Sequence, residues 1–501
     1  MYPLKKETVI SRLIDICAVI GLYNVVKFCG NQFFNNASKI IRHLPIVKTK
    51  ITNVKKEMKK SIFKESEVSF NKLPDEGIKK EEIVELINKM PKSKHNSDSG
   101  KISGAVYNSD KEFSEFIKNI MFEHFWSNPL HADLFPQIRQ MEVDIVKMCS
   151  KFYKSPTSIG CVTSGGTESI ILACRAYKNY SKHNIVTKGE IVALESVHTA
   201  FDKAAELLDL KLIKVKEVEQ FYNAINANTI LIVGSAPAFP HGEIDPIKKM
   251  SRIALKYEVP FHVDACLGGF LIPFADNLPY EISFNLLGIT SISLDTHKYG
   301  YGPKGGSVLL YRSIDYIHEQ YFVNTDWIGG IYISPTLAGS RNGSIIAGTW
   351  AAMLYFGHNG YKRLSNKIID TVQSIKKAVE EIPEVEVIGN PQLSVIAFTS
   401  DKINIFCLMD YLSEKGWNLN SLQFPAAFHL CVTAVFVNEN REENFIEDLK
   451  EGVEYVKNIK NGKSNVSGTA SAIYGTSQKI PDRSIVRDIT ENYQDLYYDF
   501  E

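Results

Sequence analysis

Lys298 lies at the point where a predicted buried strand runs into a glycine-rich loop. Alternating apolar residues at 290–294 predict the strand, and residues 295–306 contain four glycines and one proline. Ligands of open α/β sheets bind beyond the carboxyl ends of the strands, so a lysine there can present its amine to the carbonyl of a cofactor. A single lysine is more often a solvated surface charge. The strand-end position nevertheless predicts that Lys298 is the Schiff-base lysine of a pyridoxal phosphate enzyme.

A second glycine-rich turn precedes an apolar helix earlier in the chain. Its residues Ser164, Gly165 and Thr167 bring hydroxyl groups and free backbone N–H groups to the start of that helix. Exposed amides and the helix dipole favour a bound phosphate at such a position. The alternative is an ordinary turn with a Ser/Thr cap. The turn lacks the lysine of a P-loop, which disfavours a nucleotide.

Two more polar residues follow predicted strands. His198 comes after the strand at 190–194, and Asp264 lies at a strand end 34 residues before Lys298. An imidazole there can stack on a cofactor ring, although a helix-entry histidine is the alternative. A carboxylate can pair with a protonated pyridine nitrogen and strengthen the cofactor as an electron sink. Together the four elements predict a pyridoxal phosphate site on an α/β fold with a mainly parallel, doubly wound sheet.

Length and composition indicate a large globular protein with several parts. The 501 residues exceed what one hydrophobic core supports, so two or three domains are expected. The formal net charge of +0 argues against nucleic acid as a partner. The eight cysteines form no CxxC pair, which predicts reduced thiols, a cytosol-facing protein and no metal site. We expect an N-terminal membrane-anchor segment at 1–45, a linker and helical segment at 46–110, a cofactor-binding large domain at 111–355, and a small α+β domain with a tail at 356–501.

The N-terminal segment carries an interrupted apolar run. Residues 9–29 are mostly apolar but include Arg12, Asp15, Asn24 and Lys27. A membrane-spanning helix needs about 20 apolar residues, and the basic stretch that follows would leave the rest of the chain in the cytoplasm. We predict a single membrane anchor. An amphipathic helix lying on a membrane is the alternative, and a cleaved signal peptide is disfavoured because no small-residue cleavage site follows.

Other segments have recognisable secondary-structure patterns. Pro129 breaks a helical pattern, so Asn128 and His131 are expected on a loop with side chains available for binding. Towards the C-terminus the pattern predicts helices at 345–356, 361–382 and 403–414, and strands near 385–388, 393–398 and 429–436.

Seven motifs carry a family resemblance. They are SGAVY (103–107), NPLH (128–131), TSGGTES (163–169), HTAFDKA (198–204), HVDACLGGF (262–270), DTHKYGYGPKG (295–305) and YISPTLAGSR (332–341). In these motifs the chain resembles the sphingosine-1-phosphate lyase family of the pyridoxal phosphate-dependent group II decarboxylases, from about residue 100 to near residue 495. The cofactor motifs are shared with related decarboxylases, whereas SGAVY, NPLH and the lysine loop are more specific to the lyases.

The resemblance implies a fold and a set of residue roles. It implies the type I fold of pyridoxal phosphate-dependent transferases. Lys298 would bind the cofactor covalently, with His297 beside its phosphate; Ser164, Gly165 and Thr167 would cradle that phosphate, His198 would stack on the ring, and Asp264 would hold the pyridine nitrogen. Tyr107, Asn128, His131 and Lys304 would hold the substrate phosphate. Ser340 and Arg341 would come from the partner subunit, so a homodimer with a shared site is implied.

The implied reaction is cleavage of the C2–C3 bond of a phosphorylated sphingoid base, giving a long-chain aldehyde and phosphoethanolamine. Either Lys298 or a site tyrosine could remove the C3 hydroxyl proton. The resemblance also implies single-pass attachment to the endoplasmic reticulum membrane, with the catalytic part facing the cytosol. One alternative is an amino-acid decarboxylase on the same scaffold, which would need an arginine for the substrate carboxylate. The other is an inactive membrane-anchored scaffold, against which the presence of Lys298 and Asp264 argues.

Overall fold

The computed structural model describes residues 66–93, 95–181, 188–458 and 483–498. The predicted anchor at 9–29 and the segment 1–45 lie outside these ranges. Within them, no helix has both the length and the apolar character that crossing a bilayer requires.

A seven-stranded sheet forms the centre of the larger part of the chain. Its strands are β1 (Ile159–Thr163), β2 (Glu190–Leu194), β3 (Lys211–Val215), β4 (Thr229–Ser235), β5 (Phe261–Asp264), β6 (Ile289–Leu294) and β7 (Ser307–Tyr311). They lie in the order β1-β7-β6-β5-β4-β2-β3. Strand β7 is antiparallel to both neighbours, and all other pairs are parallel. Six strands therefore end at the same edge, and the predicted mainly parallel sheet is confirmed.

Both faces of this sheet are buried. Alternate residues of one strand point to opposite faces, so Ile191 belongs to one hydrophobic cluster and Val192 to the other. Leu309 and Leu310 on β7 divide in the same way. Burial on both faces explains why these strands appear in the sequence as continuous apolar runs.

The helices of this part pack around the sheet, apart from the first, which has no buried residue. They are α1 (Lys80–Lys89), α2 (Lys111–Glu123), α3 (Pro136–Phe152), α4 (Gly166–Ser181), α5 (Ala200–Leu207), α6 (Phe221–Ala224), α7 (Ile247–Tyr257) and α8 (Ile314–Gln320). Short 3-10 turns occupy Val218–Gln220 and Ile272–Phe274. Helix α2 shows why these segments start where they do: Asp110 caps it by accepting a hydrogen bond from the Phe113 amide at 2.7 Å. A two-stranded hairpin, β8 (Phe322–Asn324) and β9 (Tyr332–Ser334), follows α8.

A long helix, α9 (Gly343–Val379), leads out of the large sheet. Asn342 caps its start through Oδ1, which accepts from the Ser344 amide at 2.9 Å. The two helices predicted here meet at Gly357, whose φ of 57° interrupts the helical backbone and favours a residue without a side chain. The boundary expected between residues 355 and 356 falls beside this interruption.

The C-terminal part is a four-stranded antiparallel sheet with helices. Its strands are β10 (Glu386–Val387), β11 (Val395–Thr399), β12 (Asn420–Leu422) and β13 (Ala427–Cys431), in the order β10-β11-β13-β12. Its helices are α10 (Ile405–Glu414), α11 (Ala434–Asn438), α12 (Glu442–Lys457) and α13 (Arg483–Tyr497). The predictions near 385–388, 393–398 and 403–414 are confirmed, whereas β12 was not predicted.

The predicted strand at 429–436 is wrong in its second half. Strand β13 ends at Cys431, and Thr433 caps α11 because its Oγ1 accepts from the Phe436 amide at 3.3 Å. The apolar run around Val435 is buried. A short buried run of this kind has the same pattern in a strand and in a helix.

The segment before α2 connects the small sheet to the edge of the large one. Ile102 forms a parallel bridge with Asn418, and the Ser103 amide donates to Asn418 O at 2.8 Å. The Gly104 amide donates to Cys431 O at 3.0 Å. These hydrogen bonds fix the backbone just before Tyr107.

Candidate active site

The four predicted cofactor elements lie at one edge of the large sheet. Ser164 directly follows β1, His198 follows β2, Asp264 ends β5, and Lys298 follows β6. Because these strands run in the same direction, their carboxyl ends bring the four side chains to one crevice. Strand β7 runs the other way, so Gly305, two residues before its start, also lies at this edge.

Lys298 contacts a buried carboxylate. Its Nζ lies 3.0 Å from Asp295 Oδ2, and the Asp295 side chain is only 3% exposed. His297 Nε2 lies 3.7 Å from the same oxygen. Burial by itself lowers the pKa of Lys298, but the negative charge of Asp295, with Cys266 and Asp264 nearby, raises the net pKa above its usual value. Asp295 therefore holds the free Lys298 side chain as an ammonium group.

The turn before α4 and the Lys298 loop enclose an open space. Gly165 has φ +153°, and a Cβ there would lie 3.8 Å from His297 Cε1. Gly305 has φ +97°, and its Cβ would lie 4.0 Å from Ser164 O. His297 is oriented by Nδ1, which donates to Gly306 O at 2.6 Å. The space between these groups suits a phosphate because it faces the positive end of α4.

Not every predicted member of this cradle is free. The Ser164 amide donates to Glu168 Oε2 at 2.6 Å, so it is not available to an anion. Glu168 Oε1 accepts from the Leu337 amide at 2.9 Å, which ties the hairpin loop to the start of α4. The exposed Ser164 and Thr167 side chains and the amides from Gly165 onward remain for the phosphate.

Asp264 is held by one of its two oxygens. Oδ1 accepts from the Cys266 amide at 3.0 Å and from Ser293 Oγ at 3.5 Å. Among the residues the structure describes, no group donates to Oδ2. That oxygen is therefore the one available to a protonated pyridine nitrogen.

His198 is oriented by the start of α5. Its Nδ1 accepts from the Ala200 amide at 3.1 Å, so a neutral ring carries its proton on Nε2. The ring also contacts Phe239 edge-on, with centroids 6.1 Å apart. The imidazole plane is thus fixed before any ligand binds, as stacking on a cofactor requires.

Two of the four predicted substrate-phosphate residues lie together. Lys304 Nζ is 4.7 Å from the centroid of the Tyr107 ring, and that ring packs edge-on against Tyr299 at 4.9 Å. Tyr299 OH lies 3.2 Å from Cys431 Sγ, which connects the pair to the small sheet. Burial, and then the charge of Lys298, lower the pKa of Lys304.

The other two form a separate pair on the loop between α2 and α3. Asn128 Oδ1 accepts from the amides of Leu130 and Arg341, both at 3.1 Å. The His131 amide donates to Asn128 O at 3.1 Å, and the His131 side chain is exposed. In the described part of the chain, no hydrogen bond joins either residue to Tyr107 or Lys304. The loop placement is confirmed, and the common role of the four residues at the substrate phosphate stays a prediction.

Arg341 is fixed within its own chain. Its guanidinium donates to Glu142 Oε2 at 2.9 Å and to Val162 O at 3.2 Å. Burial lowers the pKa of Arg341, but hydrogen bonding to Glu142 raises the net value above normal. The neighbouring Ser340 is exposed.

Three carboxylates with clear partners were not predicted from the sequence: Asp295, Glu168 and Glu142. Asp295 directly follows the end of β6, which is the same signal that identified Asp264. Glu168 lies in the first turn of α4, where acidic side chains are favoured, and this could have been noticed. Glu142 lies on α3 with no comparable signal.

The residues present fit pyridoxal phosphate. The glycine-lined space at the start of α4 would take the phosphate, the free oxygen of Asp264 would take the pyridine nitrogen, and Lys298 Nζ would take the aldehyde carbon. Asp295 Oδ1 is buried without a hydrogen-bond partner, which leaves one acceptor in the crevice for a donor on a ligand. Within the described ranges, no group of three or more His, Cys, Asp or Glu side chains could hold a metal ion.

Fold and site together define a pyridoxal phosphate-dependent enzyme. The family model for the pyridoxal-dependent decarboxylase conserved domain matches residues 72–401, which include every predicted cofactor residue named above. Pyridoxal phosphate is accordingly the cofactor.

Full-length relatives narrow the class. Sphingosine-1-phosphate lyase 1 of Rattus norvegicus is 43% identical over 96% of this chain and 88% of its own length. Sphingosine-1-phosphate lyase of Saccharomyces cerevisiae is 37% identical over 96% and 86%. The solved structure of a Burkholderia pseudomallei sphingosine-1-phosphate lyase has a TM-score of 0.74 at 37% identity, covering 78% of this chain and 94% of that one. The chain belongs to the sphingosine-1-phosphate lyase family.

The contact between Asp295 and Lys298 can be tested without turnover. In cofactor-free protein, Asp295→Asn removes the charge that favours the Lys298 ammonium, so the pKa of Lys298 falls and more of the nucleophilic free amine is present. An opposite charge at this distance shifts a pKa by about one to three units. At a fixed pH below both values, an amine-specific acylating reagent should therefore modify Lys298 about tenfold faster or more, as measured by peptide mass spectrometry.

Glu281→Gln is the matched control, because Glu281 pairs with Lys154 at 2.9 Å and should leave Lys298 unaffected. Equal Lys298 modification rates in wild type and Asp295→Asn would show that Asp295 does not hold the proton.

Proposed function

We propose that this chain cleaves the C2–C3 bond of phosphorylated sphingoid bases, releasing a long-chain aldehyde and phosphoethanolamine in sphingolipid breakdown. The observation that carries the proposal is a second lysine on the cofactor loop. Lys304 follows Lys298 by six residues and lies over the Tyr107 ring. The relatives named as sphingosine-1-phosphate lyases support the same substrate.

Lys304 suits the substrate phosphate for two reasons. Its ring partner is neutral, and within the described ranges no carboxylate forms an ion pair with it. Its lowered pKa reflects partial burial and the nearby positive charge of Lys298, and a dianionic phosphate would relieve both effects. A substrate anchored there by its phosphate would have its amine directed toward Lys298.

The chain's own groups then divide the work. When bound, pyridoxal phosphate supplies an electron sink for the pair released as the C2–C3 bond breaks. Asp264 would keep the pyridine nitrogen protonated. Lys298, released as a neutral amine when the substrate amine takes its place, would accept the C3 hydroxyl proton as the C2–C3 bond breaks. The resulting ammonium group beside Asp295 would then deliver that proton to C2. Burial raises the pKa of Tyr107, so its phenol stays protonated and acts as a hydrogen-bond donor.

The decarboxylase alternative has less support at this site. It requires an arginine that is free to bind a substrate carboxylate. Arg341 lies close to the turn before α4, but its guanidinium is already bound to Glu142 and Val162 O. The family model is shared by decarboxylases and lyases, so it does not distinguish them.

The first experiment measures aldehyde release from sphingosine-1-phosphate by purified, cofactor-loaded protein. The wild type should release a long-chain aldehyde, and Lys298→Ala should release none because it cannot bind the cofactor covalently. Lys304→Ala should keep the absorbance of the bound cofactor but raise the KM about tenfold or more, the usual cost of losing one hydrogen bond to a charged group.

Lys154→Ala, a surface lysine paired with Glu281, is the matched control for Lys304→Ala and should leave the KM unchanged. Cofactor-loaded wild type that leaves sphingosine-1-phosphate intact and releases carbon dioxide from an amino acid would reject the lyase proposal in favour of a decarboxylase.

We also propose a homodimer in which the loop at Ser340 completes the site of the second copy. The support is a set of exposed apolar side chains on the β8–β9 hairpin and on the loop after α2. Its exposed members include Trp126, Trp327, Ile328 and Ile331, and Ile328 is fully exposed. Exposed apolar side chains in such number are unusual on a monomer and suit an interface.

Ile328→Glu should shift the protein from dimer to monomer in sedimentation velocity, because it buries a charge in the proposed interface. Activity should fall with the dimer. Leu255→Glu changes an exposed leucine on α7 and should leave a dimer. A wild-type monomer with full activity would contradict the shared site.

For the N-terminal segment we propose single-pass attachment to the endoplasmic reticulum membrane, with the catalytic part in the cytosol. The support is the apolar run at 9–29 and the lysines that follow it. Full-length protein should stay with membranes after an alkaline carbonate wash, and removal of residues 1–45 should release active protein. Extraction of the full-length protein by carbonate alone would instead indicate an amphipathic helix on the surface.

A further inference from the structure

A buried histidine lies between two serines behind Asp264. His262 is two residues before Asp264 on β5, and the register places it opposite Ser291 while Asp264 is opposite Ser293 on β6. Its Nδ1 lies 2.7 Å from Ser291 Oγ, and its Nε2 lies 3.1 Å from Ser293 Oγ. The imidazole therefore bridges the two hydroxyl groups along one face of the sheet.

The bridge continues at both ends. Tyr177 on α4 donates to Ser291 Oγ at 2.7 Å. At the other end Ser293 Oγ donates to Asp264 Oδ1 at 3.5 Å, the longest link, and the Cys266 amide donates to the same oxygen at 3.0 Å. A continuous relay thus runs from the core of the large sheet to the carboxylate proposed to hold the cofactor.

The relay has a defined direction when Asp264 is charged. His262 is fully buried, and burial lowers its pKa to about 4 despite the opposing effect of Asp264. A neutral imidazole has one donor and one acceptor. If Ser293 donates to Asp264, the hydrogen bond between Ser293 and His262 must be donated by Nε2–H. Nδ1 then accepts from Ser291, which in turn accepts from Tyr177.

We infer that His262 is a positioning residue for Asp264. By donating from Nε2 to Ser293, it commits the Ser293 hydroxyl to Asp264 Oδ1, which favours the charged carboxylate and leaves Oδ2 for the pyridine nitrogen. The inference rests on the proposed pairing of Asp264 with that nitrogen and extends it to a residue that touches neither cofactor nor substrate.

A purely structural histidine would have a different signature. Its replacement would lower the stability of the protein, but it would not change the protonation of the pyridine nitrogen proposed to bind Asp264. The test therefore needs a measurement on the cofactor nitrogen itself, made on the bound cofactor without turnover.

Holoenzyme reconstituted with cofactor carrying nitrogen-15 in the pyridine ring provides that measurement, because the NMR frequency of the ring nitrogen differs between its protonated and unprotonated forms. Wild type should give the protonated signal. In His262→Phe and Ser293→Ala the signal should move toward the unprotonated position, and the cofactor Kd should rise roughly tenfold, the cost of one hydrogen bond to a charged group. The side chain of His262→Gln offers both a donor and an acceptor. Its ring-nitrogen signal and its cofactor Kd should therefore lie closer to the wild-type values than those of His262→Phe.

Asp264→Asn distinguishes the pairing of Asp264 with the pyridine nitrogen from the positioning of Asp264 by His262. If it leaves the wild-type signal, the pairing of Asp264 with the cofactor is wrong. If it moves the signal while His262→Phe, Ser293→Ala and Ser291→Ala do not, the relay is overturned and the pairing stands. Ser291→Ala retains the imidazole but removes its hydrogen-bond partner at Nδ1. It replaces His262→Phe in the test if that variant does not fold.

The control is Ser365→Ala, which removes another buried serine hydroxyl that donates to Phe270 O at 3.2 Å. It should move neither the ring signal nor the cofactor Kd. An equal change in this control would attribute the effects to general destabilisation and reject the inference.

Discussion

Two buried carboxylates, Asp264 and Asp295, have to remain charged at the same edge of the large sheet. Removing a charge from water costs several kcal/mol unless partners replace the lost solvation. Asp295 obtains this from Lys298 and, more distantly, from His297, whereas Asp264 obtains it from an amide and a hydroxyl. The different partners suit different tasks. Lys298, the partner of Asp295, can also bond to a cofactor, whereas the amide and hydroxyl that bind Asp264 stay in place. The turn before α4 also leaves room for the Asp295 carboxylate. A Cβ at Gly166 would lie only 2.9 Å from Asp295 Oδ1, so a residue without a side chain fits there.

The sequence was sufficient to locate the cofactor edge because one rule applies to several residues at once. Ser164, His198, Asp264 and Lys298 each follow an apolar strand, and parallel strands bring their carboxyl ends together without further information. The same rule applies to Asp295, which directly follows β6, but a residue three positions before a candidate lysine looks like a turn residue. Its burial and its contact with Lys298 arise only in the folded chain. The side chains on loops were less predictable, because their neighbours depend on how distant segments pack. Lys304 and Tyr107 meet, for example, whereas Asn128 contacts Arg341 instead.

The relay behind Asp264 and the wrongly predicted segment after β13 could not be derived from the pattern of apolar and polar residues. His262, Ser291 and Ser293 occupy alternating positions on strands that are otherwise apolar, and polar residues on a doubly buried sheet are the signal for a satisfied network. The pairing of His262 with Ser291 depends on strand register, which the sequence leaves open. At Thr433 the chain changes from strand to helix through one capping hydrogen bond, while the apolar pattern continues unchanged on both sides.

The part of the crevice around Tyr107 and Lys304, which we propose holds the substrate, is assembled from segments that are far apart in sequence. Cys431 on the small sheet contacts several of these parts. Its amide donates to Ser103 Oγ at 2.8 Å, and its carbonyl accepts from the Gly104 amide at 3.0 Å. Tyr299, next to Lys298, lies against the same cysteine and against Tyr107. The cofactor half of the site can therefore stay constant on this scaffold while the substrate half changes with the segment before α2 and with the small sheet. That division is consistent with a decarboxylase family model that matches a member of the lyase family, since function depends on the site that a fold carries rather than on the fold.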